Sequence, residues 1–150
     1  MASLKMKGDL AELKVATDLL ERGYKIAIPY GEDWDFDLIF PRGDPGLERV
    51  QVKYTRSNGE FISLRCRSHA LTNGKIRRTK HYTAATIDWL AVYDKTTERC
   101  YYLPATELAE GRTELVLRLT PPRNNQRAGI RYAIDYTDPK PRSQTVLATR

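Results

Sequence analysis

Residues 33–55 read DWDFDLIFPRGDPGLERVQVKYT, two short segments of alternating polar and apolar residues around a turn. The alternation over residues 35–40 and 49–55 is the period-2 pattern of half-buried strands. Between them, residues 41–46 are rich in the proline, glycine and aspartate of tight turns. We therefore predict a β-hairpin with one core-facing side. The residues predicted on that side are Phe36, Leu38, Phe40, Val50 and Val52.

The other side of this hairpin concentrates polar side chains. The turn sets a register in which Asp37 lies about opposite Gln51. Lys53 follows on the same side, two residues along the strand. Asp35 is expected beside this group, at the strand edge. An acid, an amide and a lysine on adjacent strands form a candidate catalytic cluster.

Composition narrows the class of protein. The 150 residues are enough for one domain with an ordinary hydrophobic core. The net charge of +6 favours a polyanionic partner, nucleic acid before an anionic membrane surface. No signal peptide or membrane span is visible in the sequence. Cys66 and Cys100 lack metal-ligand spacing, which predicts reduced, buried thiols in a cytoplasmic protein.

A helix is predicted over Lys7–Arg22, where apolar residues recur at helical spacing. Asp9 and Glu12 have the spacing of a capping box at its start. Glu12 is therefore either a capping residue or a functional acid. The residues predicted to face the core are Leu10, Leu13, Ala16, Thr17, Leu19 and Leu20.

The rest of the chain predicts mainly strands, at 24–30, 60–66, 87–94, 99–103 and 113–119. A helical turn is predicted over 104–109 and an irregular, solvent-exposed segment over 67–82. This order indicates a single α/β domain over 1–150 with a mixed, mostly antiparallel sheet and a helix on one side. The tail from about residue 138 is weakly specified. Trp34 and Trp89 are expected in the core, and His69 and His81 show no zinc-ligand pattern.

The polar cluster matches what phosphodiester hydrolysis requires: oxygen ligands for a divalent metal, an activated water, and positive charge at the phosphate. Asp37 is a hard anionic ligand, and Lys53 can approach the phosphate or the attacking water. One aspartate binds Mg²⁺ poorly, so Glu12 is the candidate second carboxylate, while Gln51 adds a neutral oxygen. We predict Glu12, Asp37 and Gln51 as ligands of Mg²⁺, for which Mn²⁺ can substitute, and Lys53 as the fourth catalytic residue.

Asp37 followed by Gln51-x-Lys53 resembles the PD-(D/E)xK nuclease motif of the restriction-endonuclease-like fold, with Gln51 replacing the motif's acid. Residues 8–40, 47–56 and 118–136 together are similar to bacterial group I intron homing endonucleases of the cyanobacterial type, which carry this Gln-x-Lys variant. The resemblance implies a PD-(D/E)xK core with a mixed sheet flanked by helices. It also implies Mg²⁺-dependent, site-specific cleavage of double-stranded DNA at a long target by a symmetric homo-oligomer.

A physical argument also favours an oligomer, because one active site cuts one strand and a duplex cut needs two sites. Dimer and tetramer both satisfy this requirement. Two alternatives stay open at this point. The first is a Holliday-junction resolvase or restriction-type enzyme of the same fold. The second is a non-catalytic DNA-binding or assembly module in which Gln51 marks a lost site.

Three groups of residues are candidates for DNA contact through cationic and amide side chains. The first follows the core strands and consists of Lys75, Arg77, Arg78 and Lys80. The second lies on or beside the strand after Lys53 and consists of Arg56, Ser57, Asn58, Arg65 and Arg67. The third is Arg123 and Arg127, in the proline-stiffened segment 121–127.

Overall fold

The computed structural model describes residues 2–41, 46–72, 75–108, 113–125 and 128–139, with backbone alone at Pro41 and residues 67–81. Within these ranges it contains one α-helix, eight strands and two 3₁₀ turns. The elements are α1 (Leu4–Glu21), β1 (Leu38–Pro41), β2 (Leu47–Thr55), β3 (Phe61–Arg65), β4 (Arg67–Thr72), β5 (Lys75–His81), β6 (Trp89–Asp94), β7 (Arg99–Pro104) and β8 (Glu114–Arg118), with the 3₁₀ turns at Ala105–Glu107 and Ala133–Tyr136.

The central sheet has four strands in the order β1-β2-β6-β7. Strands β2 and β6 are parallel, and the two outer pairs are antiparallel. The connection from β2 to β6 carries β3 and the β4–β5 hairpin, and β3 pairs with β8 in a separate two-stranded sheet. The mixed, mostly antiparallel sheet of the sequence prediction is confirmed, with a single flanking α-helix among the described residues.

Strand β6 is buried on both sides because the central sheet lies between two hydrophobic clusters. Trp89, Ala91 and Tyr93 pack with α1 and the apolar side of the β1–β2 hairpin. Leu90 and Val92 point the other way, into a cluster shared with β3 and β8. The site described below lies where α1 meets the β1–β2 edge of this sheet.

The first turn of α1 differs from the prediction. Ser3 is the N-cap, and its Oγ accepts a hydrogen bond from the Met6 amide at 3.2 Å. Asp9 lies further along the helix, 3.4 Å from the Lys5 ammonium. The capping box at Asp9 and Glu12 is therefore wrong, because the helix begins three residues earlier than the apolar pattern suggested. Glu12 has no capping role.

The predicted core-facing side of α1 is also wrong in part. Its buried residues are Ala11, Val15, Ala16 and Leu19. Leu13 and Leu20 are 66% and 54% exposed. Two opposite sides of the helix are apolar, and the one with small side chains packs on the sheet because it lets the two backbones approach closely.

The structure confirms most of the other predicted strands and corrects two segments. Strands β3, β6, β7 and β8 and the turn at Ala105–Glu107 lie where predicted. The predicted strand at 24–30 is reduced to a single bridge between Ala27 and Ile39. The segment predicted as irregular over 67–82 instead forms the antiparallel hairpin β4–β5, which its polar composition concealed.

The predicted positions of the tryptophans, Phe36 and the cysteines are confirmed only in part. Trp89 is buried as predicted, but Trp34 is 51% exposed and its ring lies tilted against that of Phe36. Phe36 packs against the β3–β8 cluster, not with the rest of the hairpin's apolar side, because strand β1 begins only at Leu38. Cys66 and Cys100 are buried free thiols, and burial raises the pKa of Cys100 to about 12.

The tail predicted from about residue 138 is described only as far as Pro139. Asp138 accepts a hydrogen bond from the Tyr24 hydroxyl at 3.4 Å, and residues 140–150 lie outside the described residues. No helix in the described part of the chain has the length and apolar character that a membrane span requires.

Candidate active site

The β1–β2 hairpin places Asp37 against Gln51. Leu38 pairs with Val50 in the antiparallel register, and the Asp37 amide donates to the Val50 carbonyl at 2.8 Å. One Asp37 carboxylate oxygen, Oδ2, accepts hydrogen bonds from Gln51 Nε2 at 2.8 Å and from the Val52 amide at 2.9 Å. The position of Asp37 opposite Gln51 is therefore as predicted.

Helix α1 brings Glu12 to this carboxylate. Glu12 follows the buried Ala11 and lies at the margin of the packed side of α1, where it is hydrogen-bonded to Asp37. Burial and then repulsion by Asp37 raise the pKa of Glu12 to about 7. The pKa of Asp37 is also raised, chiefly by burial, against the opposing effects of the Val52 amide, Glu12 and Lys53. Close like charges disfavour ionisation of both carboxyl groups at once, so we expect the pair to keep one proton near neutral pH.

Lys53 lies on the same side of β2 as Gln51, two residues further on, and its charge stabilises ionised Asp37. Its ammonium lies over the ring of Tyr82, 4.8 Å from the ring centroid. Sequence reasoning did not identify Tyr82 as part of the site. No local pattern signals it, since Tyr82 is distant in sequence from Lys53 and ends a segment predicted to be irregular.

The donor set suits a divalent cation bound through oxygen. Among the described residues, no three of His, Cys, Asp and Glu lie together as metal ligands, so the set is two carboxylates and one amide. A cation bound between the two carboxyl groups would replace the proton that they hold. Gln51 currently donates its Nε2 to Asp37, so its amide must turn to offer Oε1.

The sequence pattern described as PD-(D/E)XK endonuclease matches residues 2–139, nearly the whole chain. This chain belongs to the PD-(D/E)XK endonuclease family. Glu12, Asp37, Gln51 and Lys53 all lie within the matched range.

Two solved structures match this chain to different degrees. A bacterial homing endonuclease, I-Ssp6803I, superposes with a TM-score of 0.70 at 21% identity, covering 99% of this chain and 95% of that one. The Holliday junction resolvase Hjc of Archaeoglobus fulgidus gives a TM-score of 0.41 at 10% identity, covering 75% and 84%. No curated protein matches by sequence. The first superposition confirms the predicted PD-(D/E)xK fold.

Among the predicted DNA-contacting residues that follow β2, two form hydrogen bonds within the protein and two are exposed cations. The Ser57 hydroxyl donates to Asp94 at 2.8 Å, and Asn58 Oδ1 accepts the amides of Glu60 and Phe61. These two side chains therefore shape the turn between β2 and β3. Arg56 and Arg65 are exposed. Arg56 directly follows β2, and Arg65 is the last residue of β3. Their contact with DNA stays a prediction.

The other predicted cations lie in the β4–β5 hairpin or after β8 in the chain. Arg67 is in β4, and Lys75, Arg77, Arg78 and Lys80 are in β5, with side chains outside the described part of the structure. Arg123 is exposed and forms an ion pair with Glu60 at 2.9 Å. Arg127 lies outside the described residues.

Proposed function

We propose that this protein is a metal-dependent endonuclease that cuts double-stranded DNA at one long, specific site, as in intron homing. One observation carries the proposal: the hydrogen-bonded carboxyl pair of Glu12 and Asp37, with Gln51 and the Lys53 charge beside it. Membership of the PD-(D/E)XK endonuclease family supports the nuclease chemistry. Superposition with a homing endonuclease supports the fold on which this activity would rest.

Each residue has a distinct proposed role. Glu12 and Asp37 hold Mg²⁺ or Mn²⁺, and Gln51 contributes its amide oxygen after the side chain turns. When bound, such a cation acts as a Lewis acid and lowers the pKa of a coordinated water. Lys53 places positive charge beside the phosphate, where negative charge develops during in-line attack.

The substrate and assembly are part of the same proposal. The net charge of +6 favours the DNA polyanion, and a cytoplasmic protein would meet it at the nucleoid. Each chain supplies one Glu12–Asp37 pair, so cutting both strands needs two copies, as a dimer or within a tetramer. Reading a long site also needs more protein surface than one small domain offers.

Incubation of the purified protein with a library of randomised duplexes and Mg²⁺, followed by sequencing of the cut ends, tests the proposal. The expected result is one enriched long site cut in both strands, with Asp37→Ala and Lys53→Ala inactive. Arg22→Ala is the matched control, because Arg22 is a cation at the far end of α1, paired with Asp18. Sedimentation at equilibrium measures the number of copies.

The outcomes separate the alternatives. Preferential cutting of four-way junctions over linear duplex would identify a resolvase. Cutting of short palindromes would identify a restriction-type enzyme. Absence of cutting with either Mg²⁺ or Mn²⁺, across the whole library, would leave the non-catalytic DNA-binding module.

A further inference from the structure

We propose that Tyr82 is a positioning residue for Lys53: its ring face holds the ammonium at the active site without neutralising it. This inference rests on the proposed function, in which Lys53 acts on the phosphate. The contact that carries it is the 4.8 Å separation between Lys53 Nζ and the Tyr82 ring centroid, well within cation–π range.

The ring is fixed in place by its surroundings. Tyr82 is only 6% exposed and belongs to the hydrophobic cluster between the central sheet and the β3–β8 pair. Its backbone amide donates to the Cys66 carbonyl at 2.9 Å, at the base of the β4–β5 hairpin. A side chain locked by packing and a backbone hydrogen bond is a rigid support for a flexible one.

Lys53 needs such a support because its long side chain has many rotamers and an anionic neighbour. Asp37 would attract the ammonium into a direct ion pair, which would occupy the carboxylate that the metal requires. In the described part of the chain no ion pair joins Lys53 to a carboxylate, and the ammonium rests on Tyr82 instead. An aromatic face attracts a cation while carrying no net charge, so the positive charge of Lys53 stays available to the phosphate.

The support also links the site to the β4–β5 hairpin. Tyr82 directly follows β5, the strand that carries the predicted DNA-contacting cations Lys75, Arg77, Arg78 and Lys80. The hairpin base therefore sets where the ring lies, and through the ring it sets where the Lys53 ammonium lies. Tyr82 contacts Lys53 and is not itself a catalytic residue.

Nuclear magnetic resonance of the metal-free protein tests the contact independently of cleavage. The ring current of Tyr82 is expected to shift the Lys53 Hε resonances upfield. Tyr82→Leu should return them toward the random-coil position, and Tyr82→Phe should leave them shifted because the ring remains. Tyr101→Leu is the matched control, since Tyr101 is also buried in the same cluster, at 3% exposure, and makes no ring contact with Lys53 in the structure.

Single-turnover cleavage of the duplex selected from the library tests the consequence. Tyr82→Leu should slow cleavage roughly tenfold or more, within the range attributed to side-chain positioning, and leave the dissociation constant for DNA within about twofold. Tyr82→Phe should restore the rate to within about threefold of wild type. Tyr101→Leu should cleave at nearly the wild-type rate at a temperature where it stays folded.

The outcomes distinguish a failure of this inference from a failure of the proposed function. Lys53 resonances that Tyr82→Leu does not move would overturn this inference alone. So would a wild-type cleavage rate in Tyr82→Leu, or an equal rate loss in Tyr101→Leu. A wild-type protein that cuts no duplex would overturn the proposed function, and this inference would fall with it.

Discussion

Asp37 and Asp94 both lie beside strand β2, and their pKa values shift in opposite directions. Asp94 pairs with Thr55 at the carboxyl end of β2, and Asp37 lies opposite Gln51 near its middle. Burial opposes ionisation at both aspartates. The pKa of Asp94 is nevertheless lowered, while that of Asp37 is raised.

The difference is in the number of hydrogen-bond donors. Asp94 is fully buried and accepts the amide and hydroxyl of Ser57, both at 2.8 Å, together with two amides and a hydroxyl from Thr96 and Thr97. No described residue places a second carboxylate against it. A carboxylate with this many donors is stable in its ionised form even without water.

Asp37 has fewer donors and an acidic neighbour. Among the described residues it accepts the Val52 amide and the Gln51 side chain, and its third hydrogen-bond partner, Glu12, is itself an acid. Its negative charge is therefore left incompletely compensated. We infer that Asp94 is a structural aspartate that holds a turn, and that Asp37 is a functional one whose charge a cation would complete.

The largest expected effect is the difference in cleavage rate between substitutions of the two aspartates. Asp37→Asn should slow single-turnover cleavage on the order of 10³-fold, beyond the 10- to 100-fold that loss of a merely supporting residue costs a metal site. Asp94→Asn should cleave within a few fold of wild type below its unfolding temperature. Equal losses in the two variants would remove the functional distinction between these residues.

The free energy of unfolding should fall more in Asp94→Asn than in Asp37→Asn, the reverse of the order expected for cleavage. Asp94→Asn leaves several buried donors without a charged acceptor and should lower the free energy of unfolding by about 3 kcal/mol. Asp37→Asn relieves repulsion with Glu12 and should change stability by less than about 1 kcal/mol. Urea unfolding of both variants without metal measures this, and a more stable Asp94→Asn would contradict the structural role.

Metal affinity should depend on pH through the carboxyl pair. Because the pKa of Glu12 is about 7, the shared proton must leave before a cation binds. The association constant for Mn²⁺ should therefore fall about tenfold per pH unit below 7 and level off above it. Calorimetric titration from pH 5.5 to 8.5 measures it, with Glu12→Gln as a control that should bind weakly and with less pH dependence.

Replacing Gln51 with glutamate restores the acid of the PD-(D/E)xK motif. Gln51→Glu adds a third carboxylate next to Glu12 and Asp37, which should tighten Mn²⁺ binding by about tenfold. The same change should destabilise the metal-free protein by about 1 kcal/mol through like-charge repulsion. Melting with and without Mn²⁺ shows both effects, and a metal-free protein made more stable by the substitution would contradict them.

The smallest effect is the pH dependence of metal-free stability. The folded pKa of Glu12 is raised from 4.5 to about 7, so its contribution to stability is full below 4.5 and is lost as pH rises through 7. Asp94 has a lowered pKa, so its contribution is lost only as pH falls below its ordinary value of 3.8. Wild type should gain a few degrees in Tm, on the order of 3 °C, between pH 8 and 5 relative to Glu12→Gln. Parallel Tm curves for the two proteins would contradict the shared proton.

The hairpin and its polar side were predictable because alternation along a strand is a local property. Asp37, Gln51 and Lys53 share one side of two paired strands, and the turn alone sets their register. The side of α1 that packs was not predictable from periodicity. Leu13 and Leu20 are as apolar as Leu19, and only contact with the sheet selects among them.

Glu12 shows how structure resolved a choice that spacing left open. The distance in sequence from Asp9 fits a capping box, but Ser3 caps the helix and releases Glu12 for the contact with Asp37. The hairpin β4–β5 was hidden for a different reason. Its strands pair mainly with each other and carry few apolar residues, so no buried pattern marks them.

The chain by itself determined which chemical groups are present, their order, and the alternation that sets Asp37, Gln51 and Lys53 on one side. The tertiary structure alone decided which neighbours surround each charge. It brought Glu12 to Asp37, the Ser57 amide and hydroxyl to Asp94 and the Tyr82 ring to Lys53. The physical reason is that a side chain's pKa and position depend on groups within a few ångströms, and folding brings these together from distant parts of the sequence.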